Sequence, residues 1–178
     1  MSDLVSQIFS KVQQDQDVVS KLFAKIPGFQ GYIERQERRN SDKLLREAIA
    51  ARFEEEWGRV SEIQRDFISE GEIMYLADLE SAAIKLRTFA DRVRNATRGY
   101  SSLFEAVKIN EEELARLYQY DATLLEMGDE VGRAVDNVQA SIGTDGVKAA
   151  IRNLRSVAQQ CIDAYNKRDE VVLASTEQ

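Results

Sequence analysis

Between Leu76 and Thr97 the chain reads LADLESAAIKLRTFADRVRNAT, in which Leu76, Leu79, Ala83, Leu86, Ala90 and Val93 recur at alternating spacings of three and four. Asp78, Glu80, Lys85, Asp91 and Arg92 fall mostly off that line. The spacing predicts a core-facing helix whose apolar stripe packs at the shallow angles of coiled coils. A stripe that long needs partners of similar length, and the rest of the chain is read for them.

Few residues interrupt helices. Pro27 is the single proline, and nine glycines are spread through 178 residues rich in Ala, Leu, Glu, Lys, Arg and Gln, the strong helix formers. Ser2 and Asp3 can cap a first helix whose apolar residues Val5, Ile8, Val12, Val19, Leu22 and Ile26 keep the three-four spacing up to Pro27. KIPGFQGY then makes a loop presenting Phe29 and Tyr32. From Ile33 to Ser69 Gly58 is the lone breaker, and Leu45, Ile49, Phe53, Trp57, Val60, Gln64 and Phe67 follow one side. Before Leu44 that helix is almost purely charged and predicts a projecting extension. Gly71 separates it from the central helix. Asn110 followed by Glu111, Glu112 and Glu113 opens another helix, with its seam through Leu114, Leu117, Asp121, Leu124, Gly128, Val131, Val135, Val138 and Ile142. SIGTDG is a turn, and Val147, Ile151, Leu154, Ala158, Cys161, Tyr165, Arg168 and Val172 mark the last helix before a polar STEQ tail.

These segments predict an all-α fold: an antiparallel up-down four-helix bundle with an added N-terminal amphipathic helix and a long charged helix extension. The expected organisation is an amphipathic helix over 1–26, a Pro/Gly loop over 27–32, the bundle over 33–173 and a frayed tail over 174–178. No internal repeat of solenoid period is visible in the residues.

Catalytic chemistry finds little footing. The chain has no histidine, which removes the usual general base near neutral pH and the commonest ligand of zinc, copper or haem iron. Dimetal carboxylate bundles need Glu-x-x-His on two helices. The acidic clusters Glu54 to Glu56, Glu70 with Glu72, and Glu111 to Glu113 read as solvated faces or helix-start charges. Phosphate loops, GxSxG elbows and CxxC pairs are missing from the sequence. Cys161, the lone cysteine, sits on the apolar stripe of its helix and reads as a buried thiol. The reading is no enzyme, no cofactor and no metal. A net charge of -7 opposes nucleic-acid binding. MSDLVSQIF carries acid where a signal peptide needs positive charge, and no run reaches membrane-spanning length, so the cytoplasm is expected.

Binding surfaces remain. Arg35, Arg38, Arg39 and Arg46 share one side of a helix and could face an acidic partner or an anion, although helical pairing with Glu34 and Asp42 explains much of the stripe. Val5, Ile8, Val12, Val19 and Leu22 form a partner-docking face. Asp121 and Arg168 interrupt otherwise apolar seams at matching levels, with Arg87 beside them, and predict a structural polar layer that fixes helix register.

PGFQGYIERQERRNSDKLLRE, KLRTFADRVRNA and GYSSLFEAVKINEEELARLYQYD resemble a group of small all-helical bacterial proteins that carry no assigned activity. The resemblance spans Ile26 to about Asp121; it implies a shared helical fold and transfers no site residues. The expected function is protein binding, to a protein partner or a second copy, as scaffold, adaptor or assembly subunit. The alternative is a peripheral membrane protein anchored by the N-terminal helix.

Overall fold

The computed structural model describes residues 24–27, 38–96 and 111–174, and the side chains of 24–27, 43–96 and 121–166. The fold is all-α. Its elements are α1 (Arg38–Ser69), a 3-10 turn (Ile73–Tyr75), α2 (Leu76–Asn95), α3 (Glu111–Ala140) and α4 (Val147–Ala174), and no strand occurs among the described residues.

Local chemistry sets the helix ends. Gly71 takes a positive φ of 78°, the Glu72 N–H donates to the Phe67 carbonyl at 2.9 Å, and the Gly71 N–H donates to the Ile68 carbonyl at 3.1 Å. This is a Schellman ending, in which the left-handed residue must be one that tolerates positive φ at low cost. Asp78 in the first turn of α2 and Arg92 and Arg94 in its last match the helix dipole. Between α3 and α4 the Thr144 hydroxyl donates to the Ser141 carbonyl at 2.8 Å and accepts from the Gly146 N–H at 3.2 Å, closing the expected SIGTDG turn.

α1 packs on α2 and α3, and α4 packs on the same two helices. The residue pairs give the directions. Across α1 and α2 the contacts Phe67–Tyr75, Gln64–Glu80, Trp57–Arg87 and Glu54–Arg94 run in opposite senses, so that pair is antiparallel. Across α1 and α3, Arg52 meets Asp129 and Arg59 meets Asp136. Across α2 and α4, Asp78 meets Arg155 and Phe89 meets Tyr165. Both numbers rise together in those two pairs, which makes them parallel. The α1–α2 and α3–α4 hairpins therefore lie side by side. Sequence reasoning expected each neighbour to be antiparallel and set α2 level with α3, yet those two are not among the pairs that pack extensively.

The predicted stripe of α2 is confirmed at every turn from Leu79 to Val93, with Leu79, Ala83, Leu86, Ala90 and Val93 buried together with Ala82 and Phe89. Phe53, Phe67, Phe89, Leu79 and Leu86 are among the largest fully buried side chains, each contributing about 1.5–3 kcal/mol by leaving water. An aromatic ladder joins three helices: Phe53 and Phe89 have centroids 4.2 Å apart, and Phe89 meets Tyr165 edge-on at 5.9 Å. Tyr165 donates its hydroxyl to the Arg92 carbonyl at 3.3 Å, while the Arg92 guanidinium lies 4.8 Å from its ring. On α1 the buried line passes through Glu56 and Ile63 where the sequence suggested Trp57 and Gln64. Cys161 is buried as expected, and desolvation pushes its thiol up to about 12, which removes it as a nucleophile at neutral pH.

Candidate protein-docking surface

The seam between α1 and α3 is a chain of alternating charge. Glu56 is 1% exposed and accepts from Arg52 and, at 2.9 Å, from Arg59. Arg52 also reaches Glu55 at 3.1 Å and Asp129 at 3.7 Å, and Arg59 also donates to Asp136. The hydrogen bond to Asp136 holds the Arg59 guanidinium above its ordinary pKa. Gly128 and Gly132, one turn apart on α3, make room for this. A Cβ on Gly132 would lie 2.9 Å from Arg52 Nη2 and 3.0 Å from Glu56 Oε1; one on Gly128 would lie 2.8 Å from Arg52 Cγ. The expectation that Glu54 to Glu56 form a solvated cluster is thus corrected at Glu56. A repeated spacing, Ile49, Phe53, Glu56, Val60, Ile63, was the signal that could have placed it on the buried line.

Residues 24–27 join the same seam. Ile26 is buried in the core cluster, and Lys25 pairs with Asp129, holding that carboxylate below its usual range through its hydrogen bond. Val5, Ile8, Val12, Val19 and Leu22 lie outside the described residues, as does Arg35. Arg38 and Arg39 open α1, with side chains outside the described set. Arg46 is corrected: at 8% exposed it leaves little of its surface open to an outside partner.

Asp121 is 1% exposed, as its seam position predicts. Arg168 lies on α4 with its side chain outside the described set. Arg87 is corrected. It is 65% exposed, pairs with Asp91 at 3.9 Å and lies 5.3 Å from the Trp57 ring on the α1 side of α2, because α2 packs beside α1 and α4 and not beside α3.

Among the described residues the large exposed apolar side chains are Ile68 at 56%, Ile73 at 66%, Met74 at 77% and Ile84 at 55%. All four belong to the α1–α2 hairpin. Positions 57, 61, 64 and 68 form one line on α1, and 77, 80, 84 and 87 form one line on α2. These lines meet at Gln64–Glu80, 2.9 Å, and at Trp57–Arg87, so Ile84 lies in the groove between the two contacts. Ile68 and Ile73 continue it toward the Gly71 turn. That turn is braced from beneath by Phe67, which holds the Tyr75 ring edge-on at 5.8 Å. Sequence reasoning missed this groove because it follows the core line of each helix and gives no name to what lies beside it.

The turn region between α1 and α2 is acidic in sequence. Residues 62–80 carry Glu62, Asp66, Glu70, Glu72, Asp78 and Glu80 with Arg65 as the single base. Arg155 of α4 neutralises Asp78 at 2.5 Å, and Glu62 lies 3.9 Å from Arg65. Glu72 occupies the position after the left-handed glycine, where an apolar residue commonly contacts the helix it ends. Its Oε2 is shielded from solvent and accepts no hydrogen bond among the described residues.

No group of three or more potential metal ligands occurs among the described residues, and no helix among them is long and apolar enough to cross a membrane. No protein-family model, curated protein or solved structure matches the chain.

Proposed function

We propose that this chain is a non-enzymatic, cytoplasmic helical-bundle protein that acts by binding other proteins, as scaffold, adaptor or assembly subunit. The observation that carries the reading is that, among the described residues, the exposed large apolar side chains Ile68, Ile73, Met74 and Ile84 all belong to the α1–α2 hairpin. A concentrated apolar patch with a polar rim is the usual signature of an interaction site. The competing membrane-anchor reading rests on residues 5–22; its one described neighbour segment, 24–27, is tied to α3 and the core.

Photo-crosslinking in the native host tests the proposal. A benzophenone side chain placed at Ile73 or Ile84 should give discrete protein adducts, and the same group at Arg152, exposed on α4, should not. Equal labelling from all three positions, or none from the groove, would overturn it. Flotation with anionic vesicles decides the membrane alternative, which requires the full chain to rise with lipid and a chain lacking residues 1–23 to stay behind.

A further inference from the structure

We propose that residues 24–27 form a releasable strap, which fastens the N-terminal part of the chain to the α1–α3 seam by one plug, Ile26, and one latch, the Lys25–Asp129 ion pair, and which opens while the bundle stays folded. The plug is deep but single. Ile26 is 2% exposed and belongs to the core cluster, whereas Ala24, Lys25 and Pro27 around it are exposed. Because the adjacent Lys25 pairs with Asp129, Ile26 enters the core close to the turn of α3 that carries Gly128 and Asp129. By comparison α2 buries Leu79, Leu86, Phe89 and Val93 among others along its 20 residues. Local opening costs free energy in proportion to the apolar surface it exposes, so the strap belongs to the weakly held end of the fold.

The latch is arranged to open without stranding a charge. The Lys25 and Asp129 side chains keep 32% and 43% of their surface in water, the range in which an ion pair adds little and is screened by salt. When Lys25 leaves, its ammonium returns to solvent. Asp129 still faces Arg52, whose Nε lies 3.7 Å from its Oδ1, and Arg133, whose charge also favours the carboxylate. Glu56 is the contrast: 1% exposed, it would be stranded by the loss of Arg52 and Arg59. The seam therefore carries a lasting ion cluster at Glu56 and a reversible one at Asp129, and Arg52 touches both. This device is independent of the docking hairpin.

Thiol labelling of the full-length chain with excess dithionitrobenzoate tests the strap. Ile26→Cys places a thiol at the plug, and Cys161, the one native cysteine, reports from the core of the same molecule. The introduced thiol should react about tenfold faster than Cys161 or more, as a locally opening segment does. Asp129→Asn should raise its rate about two- to fivefold, the worth of an exposed ion pair. Lys25→Gln should do the same, and the two changes together should add nothing to either alone. Ile151→Val, in the core on α4, should speed Cys161 about two- to tenfold and leave the introduced thiol as it was, since strap opening keeps that contact.

Equal rates at the two thiols, or an effect of Ile151→Val on the introduced thiol as large as that of Asp129→Asn, would make the segment part of the cooperative core and overturn the strap. A rate indifferent to both Asp129→Asn and Lys25→Gln would overturn the latch. Trypsin gives the same reading on the chain with Ile26 in place: the Lys25–Ile26 bond should be cut before Lys85–Leu86 in α2, and sooner still in Asp129→Asn. Cutting at Lys85 no later than at Lys25 would overturn the proposal.

Discussion

The charge chain between α1 and α3 makes an asymmetric prediction about stability. Glu56 is buried, while Arg52 and Arg59 each keep part of their surface in water and each have a second carboxylate, Asp129 and Asp136 respectively. Replacing Glu56 by Met removes the fully desolvated charge of this network and leaves both guanidinium groups paired elsewhere. The change should lie within about 1 kcal/mol of the parent, because apolar replacement of a buried ion-pair member is close to neutral when no partner charge is stranded. Replacing Arg52 and Arg59 together by Met has the opposite effect: Glu56 stays buried and loses both donors, at a cost of about 3–5 kcal/mol. In a chain of this size that corresponds to a fall of roughly 6–20 °C in melting temperature, since 1 kcal/mol moves Tm by about 2–4 °C. Urea midpoints at fixed slope, with thermal melts alongside, measure both variants. If Glu56→Met proved more damaging than the double arginine variant, Glu56 would be the anchor of the network and the desolvation argument would be wrong.

Three further outcomes follow from the packing. Leu86→Ala, from a fully buried site on α2, should cost about 2–5 kcal/mol, and the neighbouring Lys85→Ala should stay within about 0.5 kcal/mol, both read from denaturant midpoints. Gly58 has nothing within 4 Å of where a Cβ would sit, so Gly58→Ala should stabilise α1 by about 0.5–1 kcal/mol; Gly128→Ala, whose Cβ would meet Arg52 Cγ at 2.8 Å, should destabilise by about 1–3 kcal/mol. The hydrogen bond from Lys25 lowers the pKa of Asp129 in the folded chain below its unfolded value of 3.8, so its stabilising contribution is present above that pH and is lost as pH falls through the lower folded value. The stability difference between parent and Asp129→Asn should therefore be constant near neutrality and shrink on acidification below about pH 4. A gap that instead closed between pH 5 and 7 would point to another group.

Helix identity was legible because apolar periodicity and capping chemistry are local. Leu79 to Val93, the break at Gly71 and the start at Val147 follow from spacing and from residues that only certain turns accept. Side-by-side order was not legible, because an apolar stripe states that a face is buried and leaves open which helix covers it. Arg87 shows the consequence: its level along α2 was inferred from chain counting, but the helix beside it is α1. Glu56 and Arg46 were read as surface because charged residues usually are; what overrides the rule at Glu56 is a pair of arginines at three and four residues' distance and two glycines on the facing helix. The groove was invisible for a different reason, since single exposed isoleucines are ordinary and become informative only when they share a face.

Parallel pairing of the two hairpins also shapes how the chain reaches its folded state. Within the first hairpin, contacts range from Phe67–Tyr75, eight residues apart, to Glu54–Arg94, 40 apart. Loop closure therefore favours the turn end over the open end by about 1.4 kcal/mol, taking 3/2 RT times the logarithm of the ratio. Such a hairpin zips from its turn. Between hairpins the separations stay nearly constant, 77 for Arg59–Asp136 and 77 for Arg155–Asp78, so chain entropy gives no level of that interface a head start. Where docking nucleates then depends on side-chain content, and the Phe53–Phe89–Tyr165 layer, which ties three helices at one height, is where φ-values for the docking step are expected to be highest.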